Sequence, residues 1–250
     1  GKTTFQLNLL SNLLKLYPEK SFYYFSYEEA RKAIALKLIM MRAGVVIQKD
    51  SNYGAYIHYM KSRGGSVKTS DEKIEGALQE YEKLTSAGRL TISDEMYSAD
   101  DLATVIGLLA KRGDTGAVIV DYIQRIPTQS QSQRYLELKV ISSRLLEQAV
   151  QLDIPIILGA QLNRSQDNTK PRLENLRESG DIEQDANLVL GLYTPAIEDM
   201  EKADYPATVS AEVDMELSIL KNRGGASGRK ITLSFNRPVL RISDKAGGRY

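Results

Sequence analysis

The chain begins Gly1-Lys2-Thr3-Thr4 and runs directly into an apolar, helix-like stretch. This is the second half of the pattern G-x-x-x-x-G-K-[ST], in which backbone N–H groups and a helix N-terminus cradle phosphates. In that arrangement Gly1 and Thr4 border the phosphates, Lys2 neutralises their charge, and Thr3 ligates Mg²⁺ through its hydroxyl. The same four residues also suit a plain helix start with a threonine cap, so a second signal is needed.

Asp121 supplies that signal. Four apolar residues, Ala117 to Val120, run into it. Open α/β sheets bind ligands at the C-terminal ends of their strands, and an acid there can hold Mg²⁺ through water. The competing reading is a surface aspartate closing a buried strand. Two signals in the expected order favour a nucleotide site. A third acid, Glu28, follows the aromatic run Ser21 to Ser26. A carboxylate at a strand end can orient and deprotonate an attacking water. Glu28 and Glu29 could equally favour the first turn of the next helix through its dipole, and on spacing alone that is the better reading.

These residues need elements to position them. Residues 4–17 read as a helix with Phe5, Leu9, Leu13 and Leu16 on one face, stopped by Pro18. Strands are expected at 21–26, 90–93, 117–120, 154–160 and 187–193, and helices at 28–42, 71–84 and 136–152. Ser98 with Asp101 three residues later resembles a capping box opening a helix to Lys111. Residues 44–65 read as irregular, and 163–180 as polar without periodicity. The end, 212–243, reads as antiparallel strands turning at 224–228, with 247–250 a loose tail. Alternating strands and helices imply a mostly parallel sheet covered on both faces, with antiparallel strands added at one edge. The expected division is one α/β domain over 1–243 and a tail over 244–250.

Composition excludes several classes. The chain has 250 residues, enough for one large buried core. There is no cysteine, so there are no disulfides, thiolate zinc sites or cysteine nucleophiles. His58 is the sole histidine, which argues against a histidine-based triad or multi-histidine metal site. Net charge is +1, so any nucleic-acid contact must come from a local cluster. No apolar run reaches membrane-spanning length, and a cytoplasmic location without membrane partners is the default expectation.

Longer runs carry a family resemblance. Phe25-Ser26-Tyr27-Glu28 resembles the Phe-Ser-Leu-Glu motif of DnaB-type replicative DNA helicases, whose glutamate is the catalytic base. Asp121-Tyr122-Ile123-Gln124 is similar to their Asp-Tyr-Leu-Gln Walker B run. Ala160-Gln161-Leu162-Asn163-Arg164 resembles their Ser-Gln-Leu-Asn-Arg. Arg177-Glu178-Ser179-Gly180-Asp181-Ile182-Glu183-Gln184-Asp185-Ala186 resembles their Arg-Glu-Ser-Gly segment almost throughout. Lys221-Asn222-Arg223-Gly224-Gly225 is similar to Lys-Gln-Arg-Asn-Gly. All occur in family order across nearly the whole chain.

The resemblance implies a RecA-like P-loop NTPase fold, hexameric rings, and 5′-to-3′ movement on single-stranded DNA driven by ATP with Mg²⁺. It makes Lys2 and Thr3 the P-loop pair, Glu28 the base, and Asp121 the Mg²⁺ acid. It makes Gln161 a sensor linking γ-phosphate state to DNA. Arg223, with Lys221, becomes a finger reaching a neighbouring subunit's nucleotide. Arg177, Glu178 and Gly180 become a DNA-binding loop. By residue type alone, Gln161 could be a strand-end cap, Arg177 part of a solvated loop, and Arg223 an exposed hairpin arginine. Lys37 stands where the family usually has an arginine, and 44–96 resembles none of the motifs.

The resemblance also places contacts with primase and a helicase loader in an N-terminal domain outside these 250 residues. A P-loop follows a sheet strand, and that strand and the first loop glycine are not in the sequence. It therefore reads as a piece of a longer product, expected to bind ATP poorly by itself. Rival readings are a RecA/RadA-type recombination ATPase and a non-helicase ATP-binding ring regulator.

Overall fold

In this computed structural model, the described residues are 1–45, 72–127, 134–162, 170–194 and 212–245. The expected irregular stretch at 46–65, Asn163 and Arg164, and the expected tail at 247–250 lie outside them.

Four strands form a parallel sheet in the order β2-β1-β3-β4. They are β1 (Ser21–Ser26), β2 (Leu90–Ser93), β3 (Thr115–Asp121) and β4 (Ile156–Leu158). Successive side chains on a strand point to opposite faces, and β1 shows this directly. Phe22 and Tyr24 face one core with Leu7, Leu10, Ile34 and Leu38. Tyr23 and Phe25 face another with Leu102, Ile106, Ile141 and Leu145. The first core is covered by α1 (Lys2–Leu16) and α2 (Arg31–Ala43), the second by α4 (Ala99–Ala110) and α5 (Arg134–Leu152). Helix α3 (Glu72–Ser86) packs on α2 through Ala77 and Leu78. Both faces being covered explains why the central strands are apolar throughout.

The antiparallel strands do not extend this sheet. β5 (Leu188–Tyr193), β6 (Glu212–Asn222), β7 (Lys230–Asn236) and β8 (Arg241–Asp244) form a second sheet in that order. Helix α1 links the two sheets. Phe5 packs on Met215, Leu233 and Phe235 of the second sheet. Asn8 donates to the Leu240 carbonyl at 2.8 Å and accepts from the Ile242 N–H at 2.9 Å.

Several boundaries differ from the sequence reading. Helix α1 starts at Lys2, and its deepest face is Leu7, Leu10 and Leu14 rather than the row ending at Leu16, which is 70% exposed. Two partners, one on each sheet, widen the buried face beyond a single row. Helix α2 starts at Arg31, not Glu28, because Ser26 staples the intervening bend. Its hydroxyl donates to the Glu29 carbonyl at 2.6 Å and accepts the Glu29 N–H at 3.1 Å. Strand β4 is only three residues long. The segment expected as aperiodic up to Gly180 is partly helical. A 3₁₀ helix spans Leu173–Ser179, followed by α6 (Gly180–Asp185). Its start is fixed by Asn175, whose side chain accepts the Arg172 N–H at 2.6 Å. Buried Leu176 and Ile182 then anchor it. The Ser98 cap of α4 is present: the Asp101 N–H donates to Ser98 Oγ at 3.2 Å, and Ser98 Oγ donates to Asp101 Oδ2 at 2.7 Å.

Candidate nucleotide site

The sheet gathers the candidates at one edge. Ser26 pairs with Asp121 across β1 and β3, and Val120 with Leu158 across β3 and β4. Glu28, Asp121 and Gln161 therefore leave the C-terminal ends of three adjacent parallel strands. This is where an open α/β sheet offers a ligand site. The start of α1 meets the same edge: Thr3 Oγ1 donates to Asp121 Oδ2 at 2.7 Å across 118 residues of sequence.

Gly1 is the N-cap of α1, and the Phe5 N–H bonds back to its carbonyl at 2.9 Å. The first N–H groups of a helix have no intrahelical acceptor, and no side chain caps them here. They are available to an anion. The Thr4 carbonyl accepts from Asn8 Nδ2 at 2.8 Å, which ties this turn to the helix body. Lys2 places its ammonium 5.0 Å from the centre of the Tyr122 ring, a cation–π contact. Burial pushes this ammonium below its ordinary value, while Asp121 and Glu28 pull it back up.

Asp121 is 2% exposed. Besides Thr3 it accepts from the Tyr24 hydroxyl, at 2.8 Å on the same oxygen. A hydroxyl has one proton to give, so the neighbouring Gln6 amide must turn its nitrogen toward the phenol oxygen. In that orientation the nitrogen reaches Tyr24 Oη at 3.2 Å and Asp121 Oδ1 at 3.3 Å, and the oxygen accepts the Gly159 N–H at 3.1 Å. Gly159 fits because it has no side chain. A Cβ there would lie 3.0 Å from Asp121 Oδ1 and 3.3 Å from Tyr122 Cβ.

Glu28 sits exposed in the bend held by Ser26. The Tyr27 N–H donates to the Asp121 carbonyl at 2.7 Å, which keeps this bend beside Asp121. Glu28 does not serve the next helix, whose first turn contains no acid. Its neighbour Glu29 pairs with Lys37 at 2.5 Å. Gln161 is exposed just beyond β4, and its backbone is held by the Gln124 side chain.

The remaining candidates form a second group. Lys221 Nζ donates to the carbonyls of Glu183 at 2.5 Å and Gln184 at 2.9 Å, and Arg223 also donates to the Gln184 carbonyl. Both cations thus sit on the C-terminal carbonyls of α6, a favourable place for positive charge. Arg177 and Glu178 belong to the 3₁₀ helix before α6, and Gly180 opens α6. The fold therefore connects the Arg223 hairpin to the Arg177 segment, while Glu28, Asp121 and Gln161 form the first group.

Sequence reasoning missed Gln6, Tyr24 and Gly159 and gave Gln124 no role. Gln6 and Tyr24 lie within apolar runs, where periodicity gives no reason to expect a polar contact. Their signal is the odd placement of a buried amide and phenol beside a buried acid.

The donor set suits a hard cation. Mg²⁺ is commonly held by one or two protein oxygens together with substrate phosphates, and Thr3 and Asp121 offer a hydroxyl and a carboxylate side by side. Among the described residues no group of three or more His, Cys, Asp or Glu could hold a metal ion.

The chain matches the model for the DnaB-like helicase C-terminal domain over residues 1–244. It is 30% identical to the "Probable replicative DNA helicase" of Trieres chinensis over 98% of this chain and 50% of that protein. It spans about half the length of the curated relatives it matches. Among solved structures it resembles one described as an ATPase domain, with a TM-score of 0.73 and 24% identity, covering 97% of this chain and 80% of that one. It also resembles "The Structure Of A DnaB-Like Replicative Helicase And Its Interactions With Primase", with a TM-score of 0.75 and 24% identity, covering 98% and 56%. The fold is the RecA-like P-loop type. A match that runs from the Lys2-Thr3 turn to the end of β8 means that this chain belongs to the DnaB-like helicase C-terminal domain family.

Proposed function

We propose that residues 1–243 form the ATP-hydrolysing motor of a hexameric replicative DNA helicase that moves on single-stranded DNA and unwinds duplex. The observation that carries this reading is the 2.7 Å contact between Thr3 Oγ1 and Asp121 Oδ2. It unites the phosphate-binding turn with the acid at the end of β3, and family membership supplies the kind of work such a site drives.

The site would use Mg²⁺, which when bound would supply neutralisation of phosphate charge. Thr3 and Asp121 would hold it. Lys2 leaves the Tyr122 ring and meets the phosphates. Burial makes its charge costly without an anion nearby, so phosphate is the better partner. Glu28 orients water and takes its proton. Gln161 lies next to this group and carries the state of the site into the segment that follows it. Arg223, with Lys221, acts on a neighbouring subunit's nucleotide. Arg177, Glu178 and Gly180 meet the DNA backbone through side-chain and N–H contacts. The RecA/RadA-type reading shares the ATPase core, but the relatives are named as helicases. A primase contact, named for one structural neighbour, is part of this reading as well.

The test is strand displacement and ATP hydrolysis by the full-length protein. Lys2→Ala should abolish both. Unwinding at the parental rate by that variant would remove the assigned mechanism.

A further inference from the structure

We propose that Tyr24 and Gln6 are a positioning pair that fixes the Asp121 carboxylate for Mg²⁺; this rests on the reading of Asp121 as the metal-side acid. Tyr24 is 0% exposed, Gln6 4% and Asp121 2%. The Tyr24 phenol lies on the face of β1 that packs with Phe22, Ala117, Ile119 and Leu10. An apolar side chain there would serve the core without a hydrogen-bonding requirement. Burying a hydroxyl and an amide in such surroundings is costly unless each is hydrogen-bonded. Both find their partners at one carboxylate.

The geometry of that carboxylate is then over-determined. Oδ2 accepts from Thr3 Oγ1 at 2.7 Å and from Tyr24 Oη at 2.8 Å. Oδ1 accepts from Gln6 Nε2 at 3.3 Å, and the same amide nitrogen reaches the phenol oxygen at 3.2 Å. The amide is itself held by the Gly159 N–H at 3.1 Å, at the end of the neighbouring strand. Three donors from α1 and β1 therefore set the plane of Asp121 and turn Oδ2 toward the Thr3 hydroxyl. Metal sites lose affinity when the groups that orient their ligands are removed.

The experiment measures the Mg²⁺ concentration that half-saturates ATP hydrolysis by the full-length protein, with thermal stability followed in parallel. Tyr24→Phe keeps the ring and removes only the hydroxyl. It should raise half-saturating Mg²⁺ by roughly tenfold to a hundredfold, the usual cost of losing a group that orients a metal ligand. Nucleotide affinity measured in EDTA should stay within about twofold of the parent, since only the metal's ligand is disturbed. Gln6→Met carries the same test if Tyr24→Phe fails to fold. The double variant should cost less than the product of the single effects, because the two groups act as one unit. Asp121→Asn separates the two layers of the argument. A large rise in half-saturating Mg²⁺ for Asp121→Asn with parental values for Tyr24→Phe and Gln6→Met overturns the positioning pair alone. Parental Mg²⁺ dependence in Asp121→Asn overturns the metal-side reading and the pair with it.

Discussion

Gln124 grips the backbone of Gln161 from both sides: its Nε2 donates to the Gln161 carbonyl at 3.0 Å, and its Oε1 accepts the Gln161 N–H at 3.1 Å. One residue leaves β3 and the other leaves β4, so this clamp ties together two strand ends that border the nucleotide site. In its proposed role, the Gln161 side chain can respond to a phosphate only if its backbone stays put. Gln124→Ala should therefore lower the rate of ATP hydrolysis about tenfold, as expected when a positioned group is displaced by a fraction of its contact distance. Nucleotide affinity should change by less than about twofold, because the phosphate cradle of α1 is untouched. Steady-state hydrolysis with a fluorescent-nucleotide titration checks both. A parental rate would show that Gln161 does not depend on its clamp.

Gly159 is a matter of space. An added Cβ would approach Asp121 Oδ1 to 3.0 Å and Gln6 Nε2 to 3.1 Å. Neither group can retreat far, since both are buried and hydrogen-bonded to each other's partners. Gly159→Ala should destabilise the fold by about 1–3 kcal/mol, the usual cost of overpacking. It should also weaken Mg²⁺-dependent hydrolysis in whatever molecules remain folded. Chemical denaturation and hydrolysis assays on the same preparation measure the two effects.

Glu28 is exposed, and the bend that carries it is fixed by Ser26 and by the Tyr27–Asp121 backbone contact. Glu28→Gln keeps the shape and removes the proposed base. It should retain ATP binding and lose hydrolysis by roughly 10²-fold or more, the usual contribution of a positioned general base. Glu29→Gln, which breaks the pair with Lys37 instead, should cost far less. Equal losses in the two variants would move the base away from Glu28.

These cases show what the linear chain reveals and what it hides. Lys2, Thr3 and Asp121 were legible because each belongs to a local pattern: a glycine-lysine-threonine turn before a helix, and an acid after four apolar residues. Their contact was not legible, since it closes over 118 positions. Gln6 and Tyr24 were invisible for the same reason, because their partner is remote and their neighbours in sequence are apolar. Glu28 was ambiguous in sequence, and the Ser26 staple decides that it precedes the helix instead of joining it. The second sheet shows the reverse limit. Its antiparallel strands were readable from the turn between β6 and β7, but the separation from the first sheet depends on α1 filling the space between them. The 3₁₀ helix at Leu173–Ser179 escaped detection because its three-residue repeat and short length give no helical stripe.

Arg223 is turned onto its own chain, donating to the Gln184 carbonyl beside the Lys221 contacts. To act on a neighbour's nucleotide it must leave that carbonyl, which a phosphate can induce because it is the stronger acceptor for a guanidinium. Arg223→Ala should leave nucleotide binding by isolated subunits unchanged. It should reduce hydrolysis in the proposed ring by roughly 10³-fold, the scale of an arginine supplied in trans. Mixing Arg223→Ala subunits with Glu28→Gln subunits should restore partial activity, since some junctions then carry both intact groups. No recovery on mixing would place Arg223 in the service of its own subunit.

Asp114 gives a pH dependence independent of the site. Its Oδ2 accepts from Ser21 Oγ at 2.6 Å, and Arg112 donates to the same carboxylate at 3.2 Å. The Ser21 hydrogen bond, followed by the Arg112 guanidinium, holds this carboxyl below its ordinary value of 3.8. The folded state therefore binds the proton less readily than the unfolded chain. The stabilisation is fully present above the ordinary value and is lost as pH falls through the lowered folded value. Asp114 anchors the start of β1 against the start of β3, since the Ser21 N–H also donates to its carbonyl at 2.8 Å. Asp114→Asn should make the protein less stable at pH 6 and flatten the loss of stability below pH about 4, where the parental carboxylate begins to protonate. Denaturation midpoints from pH 3 to pH 6 test this; parallel curves for parent and variant would show that other carboxylates dominate the acid limb.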